Sequence, residues 1–411
     1  MCDCFYLPLD ETSYFGKNSD RNPFEAQALR IIPARQASDS IAFGNRTYGL
    51  PDLGLAMVLS CPVWMPGAEM GLNSAGVAIG NEAVFSRFKA DPAAPLGMDY
   101  VRAALSTADS AEKALAVIIE LTERHGQGGI GSYKGKLVYN NSYMITGRDG
   151  AYILETAQKR WAWKKITPIA AAISNSYTIT NDFKRLDKET RKAIAPVNEQ
   201  MACLDESDAG RLGKKESFKA YVEDRFISFF SVGDARRRAL KALLPAAAEA
   251  GTRRAAMDIL RAHSATDPEK PSRPRNICNH DRDIMGNPTT ASMLVEYQDK
   301  KTILWFTGAS YACINLFKPV LLLDDGFVPL WQDYSYNEDA KAGYWQLRRD
   351  ASKKVWKNSQ KADNHSNMLL EAQAELFKVC DELPERSSGS DIEEARSKIG
   401  IIVKNWDGQS I

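Results

Sequence analysis

No apolar run in this chain of 411 residues approaches the roughly 20 residues that a membrane-spanning helix needs. The first residues, polar by Asp10, lack the charged-then-apolar pattern of a signal peptide. Neither sign of charge is in excess. With 53 basic and 52 acidic residues the formal net charge is +1, which gives no reason to expect a nucleic-acid or membrane-surface partner. Cysteine is sparse: seven residues, at 2, 4, 61, 203, 278, 313 and 380. An odd, scattered set argues for reduced thiols and a cytoplasmic location. Histidine is scarcer still, at 125, 263, 280 and 365. Neither C-x-x-C nor H-E-x-x-H spacing is present to mark a metal site. Internal repeats and long low-complexity segments are absent too. What is there, 44% hydrophobic and 26% charged residues, suits one large soluble domain or a domain with additions.

Periodicity divides the chain into sheet-rich and helix-rich parts. Cys2–Leu9 and Ser13–Gly16 read as a hairpin across an Asp10-Glu11-Thr12 turn. Leu55–Ser60 and Gly76–Ala83 read as buried strands, the second ending in Gly80-Asn81-Glu82. Met98–Leu105 predicts a short helix and Ala111–His125 a longer one, with Asp109 as N-cap and Gly126 as stop. Ser142–Ile145, Ala151–Thr156, Trp161–Ile166 and Ile169–Ser174 predict a four-strand meander. Residues 182–270 are charge-rich and helical, with candidate N-caps Asp234 and Thr252 and a loose polar stretch at 206–217. The run Arg236-Arg237-Arg238 is offset by acidic residues and lacks an aromatic platform, so a solvated helical insertion covering one end of the sheets is expected rather than a nucleic-acid surface. Strands return at Thr290–Tyr297, Thr302–Phe306 and Val320–Leu323. From 340 to 411 the chain reads as a helical extension, packed on the core or on a partner subunit of a homo-oligomer. Leu369, Ala372, Leu376 and Val379 form one stripe, and Ser390 with Glu393 forms a capping box. Strands at both ends with helices between them suit a layered α+β domain.

The chemistry concentrates at the start. Cys2 directly follows Met1, and a small second residue usually permits methionine removal. A freed Cys2 would carry a thiol, near pH ~8.5, and an α-amine, near ~7.7–8.0, on one residue: a nucleophile with its own base. A hairpin would return Lys17 and Asp20 beside it, Lys17 to lower the thiol pKa and Asp20 to orient the amine or the thiol. By spacing alone an incidental cysteine and a solvated turn stand as the other reading. Cys4 is a rival nucleophile that needs two further residues removed.

Cys2 followed by Gly16-Lys17-Asn18-Ser19-Asp20 resembles the Cys-…-Gly-Lys/Arg-Asn-x-Asp signature of N-terminal-nucleophile (Ntn) hydrolases, in the branch of choloylglycine and penicillin V acylases and C69 dipeptidases. The strongest likeness is to the secernins within the C69 family. Matching stretches follow in order: Trp64–Gly71, Gly76–Ala83, Leu96–Arg102, His125–Gly129, Ile153–Thr156, Ile173–Asn175, Thr289–Met293, Phe306–Gly308 and Phe317–Pro319. The resemblance spans residues 2 to about 325 and implies an αββα four-layer sandwich with the nucleophile at its open edge. It also implies hydrolysis of a small peptide or N-acyl amine through a thioester, without metal or organic cofactor. Asn81 and Asn175 then match asparagines lining the oxyanion site, where neutral amides donate without competing for the proton. Lysine at position 17, where the acylases more often carry arginine, supplies charge but not a two-pronged donor. A catalytically idle interaction protein on the same scaffold is the alternative from another class.

Four further residues are assigned to the substrate pocket. Glu69 and Glu82 suit a substrate amine, with a structural carboxylate as the other reading, and Trp64 suits core or pocket wall. Cys278-x-His280 reads as a protease pair or, with His263 and a carboxylate, as a zinc site; neither has the spacing of a strong signal, and His280 is expected in the pocket.

Overall fold

The computed structural model describes residues 2–36, 41–43, 46–48, 53–194, 217–263, 276–280, 287–299, 301–324, 326–331, 338–355 and 359–410. The chain begins with β1 (Cys2–Pro8) and β2 (Thr12–Asp20), a hairpin closed by the Leu9 N–H donating to Thr12 O at 2.8 Å. Its register sets Cys2 opposite Ser19 and Cys4 opposite Lys17. Next come β3 (Gln27–Ile32), the isolated pair β4 (Ile41–Phe43) and β5 (Arg46–Tyr48), β6 (Met57–Pro62), β7 (Met70–Asn73) and β8 (Ala78–Val84). Helices α1 (Gly97–Thr107) and α2 (Ala111–His125) follow, then β9 (Asn140–Gly147), β10 (Gly150–Ala157), β11 (Arg160–Lys165), β12 (Ala171–Ser174) and β13 (Arg185–Leu186). A helical stretch holds α3 (Lys188–Ile194), α4 (Phe218–Val222), α5 (Arg225–Phe230), α6 (Gly233–Ala250) and α7 (Arg253–Arg261). The last strands are β14 (Thr289–Gln298), β15 (Thr302–Phe306), β16 (Lys318–Leu323) and β17 (Gly326–Pro329), before α8 (Glu338–Val355), α9 (Ser359–Asp381) and α10 (Gly389–Ser410).

Two antiparallel sheets result, ordered β12-β1-β2-β14-β15-β16-β17 and β13-β11-β10-β9-β8-β7-β6-β3. Strand periodicity explains the stacking. In β1 and β2, Cys4, Phe15 and Lys17 face the second sheet, where Gly80 of β8 leaves room for them: a Cβ there would lie 2.6 Å from Lys17 Cδ and 2.7 Å from Cys4 Sγ. Asp3, Asn18 and Asp20 point the other way, to α6 and α7. Helices α1 and α2 cover the outer face of the eight-stranded sheet, with Met57, Leu59, Ile79 and Ile145 packing under Tyr100, Leu105 and Ile118. Helices α6 and α7 cover β12, β1, β2 and β14. The layers therefore run helix, sheet, sheet, helix. No helix among the described residues is long and apolar enough to cross a membrane.

Several expectations change in detail. The fourth meander strand, β12, leaves its neighbours and pairs with β1 in the other sheet, with Asp3 opposite Ser174. The described part of 182–270 supplies the outer helical layer rather than a solvated cover, and Arg236 is fully buried; most of the stretch at 206–217 lies outside the described residues. The N-cap of α2 is Ser110, which accepts from Lys113 N–H at 3.2 Å, while Asp149 accepts from the next two free amides. Thr252 caps α7, but Asp234 lies inside the first turn of α6, paired with Lys219 at 2.8 Å. Ser388 and Asp391, not Ser390 and Glu393, exchange the capping bonds of α10. Helix α8 docks on the core through Trp345 Nε1, which donates to Thr290 O at 2.9 Å, and α9 packs on β16.

Candidate active site

Cys2 opens β1, an interior strand between β12 and β2, and so lies at the end of the sheet, beside the end of β12. Asn175, the residue after that strand, accepts the Cys2 N–H on Oδ1 at 2.6 Å, and its Nδ2 donates to Ala83 O at 2.8 Å. Ser174 Oγ donates to Cys2 O at 3.0 Å. The thiol meets the Asp20 N–H at 3.4 Å and Glu69 Oε2 at 3.9 Å. Cys2 is 5% exposed. Burial pushes its thiol up to about 12, with Lys17 pulling down and Glu82 and Glu69 pushing further up. With Met1 attached, the thiol is thus protonated at neutral pH. Cys4 is fully buried between the sheets.

Lys17 and Asp20 reach the corner by different routes. Lys17 Nζ donates to Asn81 O at 2.6 Å and to Glu82 Oε1 at 3.2 Å, in a site closed to solvent. Burial raises Glu82 to about 7 even beside this ammonium; burial works against the Lys17 charge too, but a Cys2 thiolate and a Glu82 carboxylate, when ionised, raise its pKa. The Asp20 carboxylate turns away from the thiol. It ion-pairs with Arg236 Nη1 at 2.6 Å and accepts from Thr289 Oγ1 at 2.7 Å, so only its backbone amide meets Cys2. Arg236 also pairs with Asp3, and against burial Asp20 and Asp3 keep its pKa above the ordinary value. Sequence reasoning missed Arg236 because an arginine run on a charged helix carries no burial signal.

A cavity of about 210 Å³ opens beside Cys2, lined among others by Arg21, Glu25, Glu69, Asn81, Lys134, Tyr139 and Asn175. Arg21, the residue after the Lys17–Asp20 motif, joins Glu25 and Glu69 at 2.6 and 2.7 Å. Its place in that motif was the available signal. Asn81 lies inside β8 rather than at its end. Its Nδ2 donates to Asn141 Oδ1 at 2.9 Å and to Met98 Sδ at 3.3 Å. Asn141 is oriented in turn by Gln127, so this amide has a defined sense. Asn175 holds the Cys2 nitrogen on Oδ1, commits one of the two Nδ2 N–H donors to Ala83 O, and lines the cavity.

Three pocket expectations are corrected. Glu82 is buried as the Lys17 counter-ion and does not line the cavity, because β8 turns it toward the other sheet. Trp64 is 41% exposed and not among the lining residues; its indole donates to Glu25 Oε1 at 2.7 Å, so it acts on the pocket from behind. His280 also lies outside the lining, grouped with His263, Cys278 and Cys313, and among the described residues these four form a group able to hold a metal. Glu69 does line the cavity.

The fold and site together define a four-layer α+β protein with a cysteine near the chain start, at the first residue of an interior strand, its nitrogen held by an asparagine just past the neighbouring strand. A scan against known protein families finds no match. Among solved structures, the chain is similar to a C2A mutant of conjugated bile acid hydrolase from Clostridium perfringens, at 13% identity and TM-score 0.47, over 82% of this chain and 98% of that one. Penicillin V acylase from Agrobacterium tumefaciens matches at 12% identity and TM-score 0.45, over 80% and 92%. A Caenorhabditis elegans ortholog of N-acylethanolamine-hydrolyzing acid amidase matches at 10% identity and TM-score 0.38, over 71% and 92%.

Proposed function

We propose that the protein is an N-terminal-cysteine amide hydrolase of the Ntn type, acting on dipeptides through a thioester. The observation that carries this reading is the Cys2 corner: backbone nitrogen on Asn175 Oδ1 at 2.6 Å, thiol against the Asp20 N–H, both in the wall of a cavity. Removal of Met1 turns that nitrogen into an α-amine on the same residue as the thiol. The amine takes the thiol proton as sulfur attacks the amide carbon, then gives it to the leaving amine as the C–N bond breaks. Water, deprotonated by the same amine, hydrolyses the thioester and frees the acid. Lys17 lowers the cost of the thiolate. Two amides in the cavity wall are the candidate oxyanion donors: Asn81, whose second N–H is held by the Met98 thioether, a weak acceptor, and Asn175, whose Nδ2 gives one N–H to Ala83 O.

The dipeptide choice rests on size and charge. A cavity of about 210 Å³ is below the roughly 300–1,000 Å³ of sites for drug-sized ligands. Arg21, Glu25, Glu69 and Lys134 in its lining suit a small zwitterion better than a long apolar acyl group. The idle-scaffold reading draws on the burial of the thiol, which leaves Cys2 only 5% exposed.

Intact mass of the purified chain, with and without a thiol probe, separates the two. Loss of one methionine and a fast label absent from Cys2→Ala favour the enzyme; retained Met1 without a Cys2-dependent label overturns it. In a panel of dipeptides and N-acyl amino acids, Cys2→Ala is expected to lose at least ~10³-fold in kcat/KM. Preference for the N-acyl compounds would replace the dipeptidase by an acylase-type amidase.

A further inference from the structure

Behind the Cys2 corner, four side chains from three separate segments converge. His263 lies just past α7, Cys278 and His280 belong to the short run 276–280, and Cys313 sits in a single 3-10 turn, Ala312–Ile314. His263 Nε2 lies 3.2 Å from His280 Nε2. The same His280 nitrogen lies 3.7 Å from Cys278 Sγ and 3.3 Å from Cys313 Sγ. All four donor atoms fall within 4.8 Å of one another. Bonds of about 2.0–2.1 Å to nitrogen and 2.3 Å to sulfur, tetrahedrally arranged, place ligand atoms roughly 3.3–3.8 Å apart. The three separations from His280 Nε2, 3.2 to 3.7 Å, lie close to that range, the remaining pairs extend no further than 4.8 Å, and both sulfurs are free thiols.

We propose that His263, Cys278, His280 and Cys313 form a Cys2His2 zinc site that staples the 276–280 segment to α7 and the 3-10 turn. Two thiolates and two imidazoles are a donor set suited to zinc, and the thiolates balance its charge. The protein supplies four ligands, the full count of a structural rather than a catalytic centre. Cys278 and His280 are fully or almost fully buried. The backbone around them is already fixed: Ile277 and Cys278 N–H both donate to Ala262 O, at 3.1 and 3.0 Å, and Arg261 Nε donates to Ala312 O at 3.2 Å. Binding would release the thiol protons and cost little rearrangement.

The stapled segment also backs the Cys2 corner. Ile277 O accepts from Asn18 Nδ2 at 2.9 Å and from Arg236 Nη2 at 3.4 Å. Asn279 N–H donates to Thr289 Oγ1, which donates to Asp20. Zinc would thus brace Asp20 and Arg236 from behind, whether or not the protein is an amide hydrolase.

The test is elemental analysis of the full chain, produced with zinc chloride in the medium and purified under reducing conditions without a polyhistidine tag. We expect about one zinc per chain, falling below about a tenth in Cys278→Ser/Cys313→Ser. Should that variant fail to fold, wild-type protein refilled with cobalt decides: tetrahedral d–d bands with a thiolate charge-transfer band are expected. Zinc below a tenth in the wild type, full zinc in the folded variant, an octahedral cobalt spectrum, or a Cys278–Cys313 disulfide in the native protein would each overturn the site.

Discussion

Asn175 is the residue on which the geometry of the corner turns, because it ties the Cys2 nitrogen to the neighbouring sheet through Ala83 O. Its removal would leave the base free to swing while leaving the nucleophile intact. Misplacing a reacting group by an ångström can cost ~10²-fold. Asn175→Ala is therefore expected to lose about that much in kcat with a folded structure, and Asn175→Asp, which keeps an acceptor, to lose less. Steady-state kinetics of both beside a circular-dichroism melt checks this; equal rates in all three proteins would remove Asn175 from the mechanism. Glu82 shows how one side chain misleads. A carboxylate next to a site-lining asparagine reads as a substrate ligand, yet alternation along β8 sends it between the sheets to Lys17.

At the scale of elements, α6 is fastened to the hairpin by a buried charge cluster. Arg236 satisfies Asp3 and Asp20, which project from neighbouring strands onto the same face. Breaking a buried ion pair from one side leaves an uncompensated charge and typically costs ~3–5 kcal/mol. Arg236→Gln is expected to fall in that range in urea unfolding, and to slow Cys2 labelling because Asp20 loses its anchor. A change under about 1 kcal/mol would mean that the cluster is solvated in the working protein. The same element exposes a limit of periodicity. Helical spacing identified 182–270 as helical, but a helix that buries arginine against aspartate shows no apolar stripe at that point.

Over the whole molecule, the C-terminal helices close over the far end of the seven-stranded sheet, and Lys318 records it. At the start of β16 it donates to Thr307 O at 2.5 Å beneath the Tyr344 ring of α8. Burial, only partly offset by Asp407, lowers its pKa from 10.5 to about 7. The unfolded chain therefore binds the extra proton between pH 7 and 10.5, so this residue's contribution is full above 10.5 and is lost as the pH falls through 7. Lys318→Met should exceed the wild type in stability most at neutral pH, with the gap narrowing as the pH rises. Urea midpoints of both proteins across that range check the sign; a constant gap would mean that water reaches Lys318.

Much of the architecture was legible because it is local. The β1–β2 hairpin, α2 to the residue, and β15 follow from alternation, capping and turn chemistry, all of which act within a few neighbours. Cys2, Lys17 and Asp20 were legible as a group because a hairpin is the shortest route by which a chain returns to its own start. The rest required long-range pairing. Only the crossing of β12 to β1 carries Asn175 to Cys2, across 173 residues. Only the packing of α6 and α7 delivers Arg236 to Asp20, and gathers His263, Cys278, His280 and Cys313 at one point. Residue type and spacing determine which local elements form; which face of each is covered, and which distant polar groups then neutralise one another, is decided when the layers close and every buried charge needs a partner.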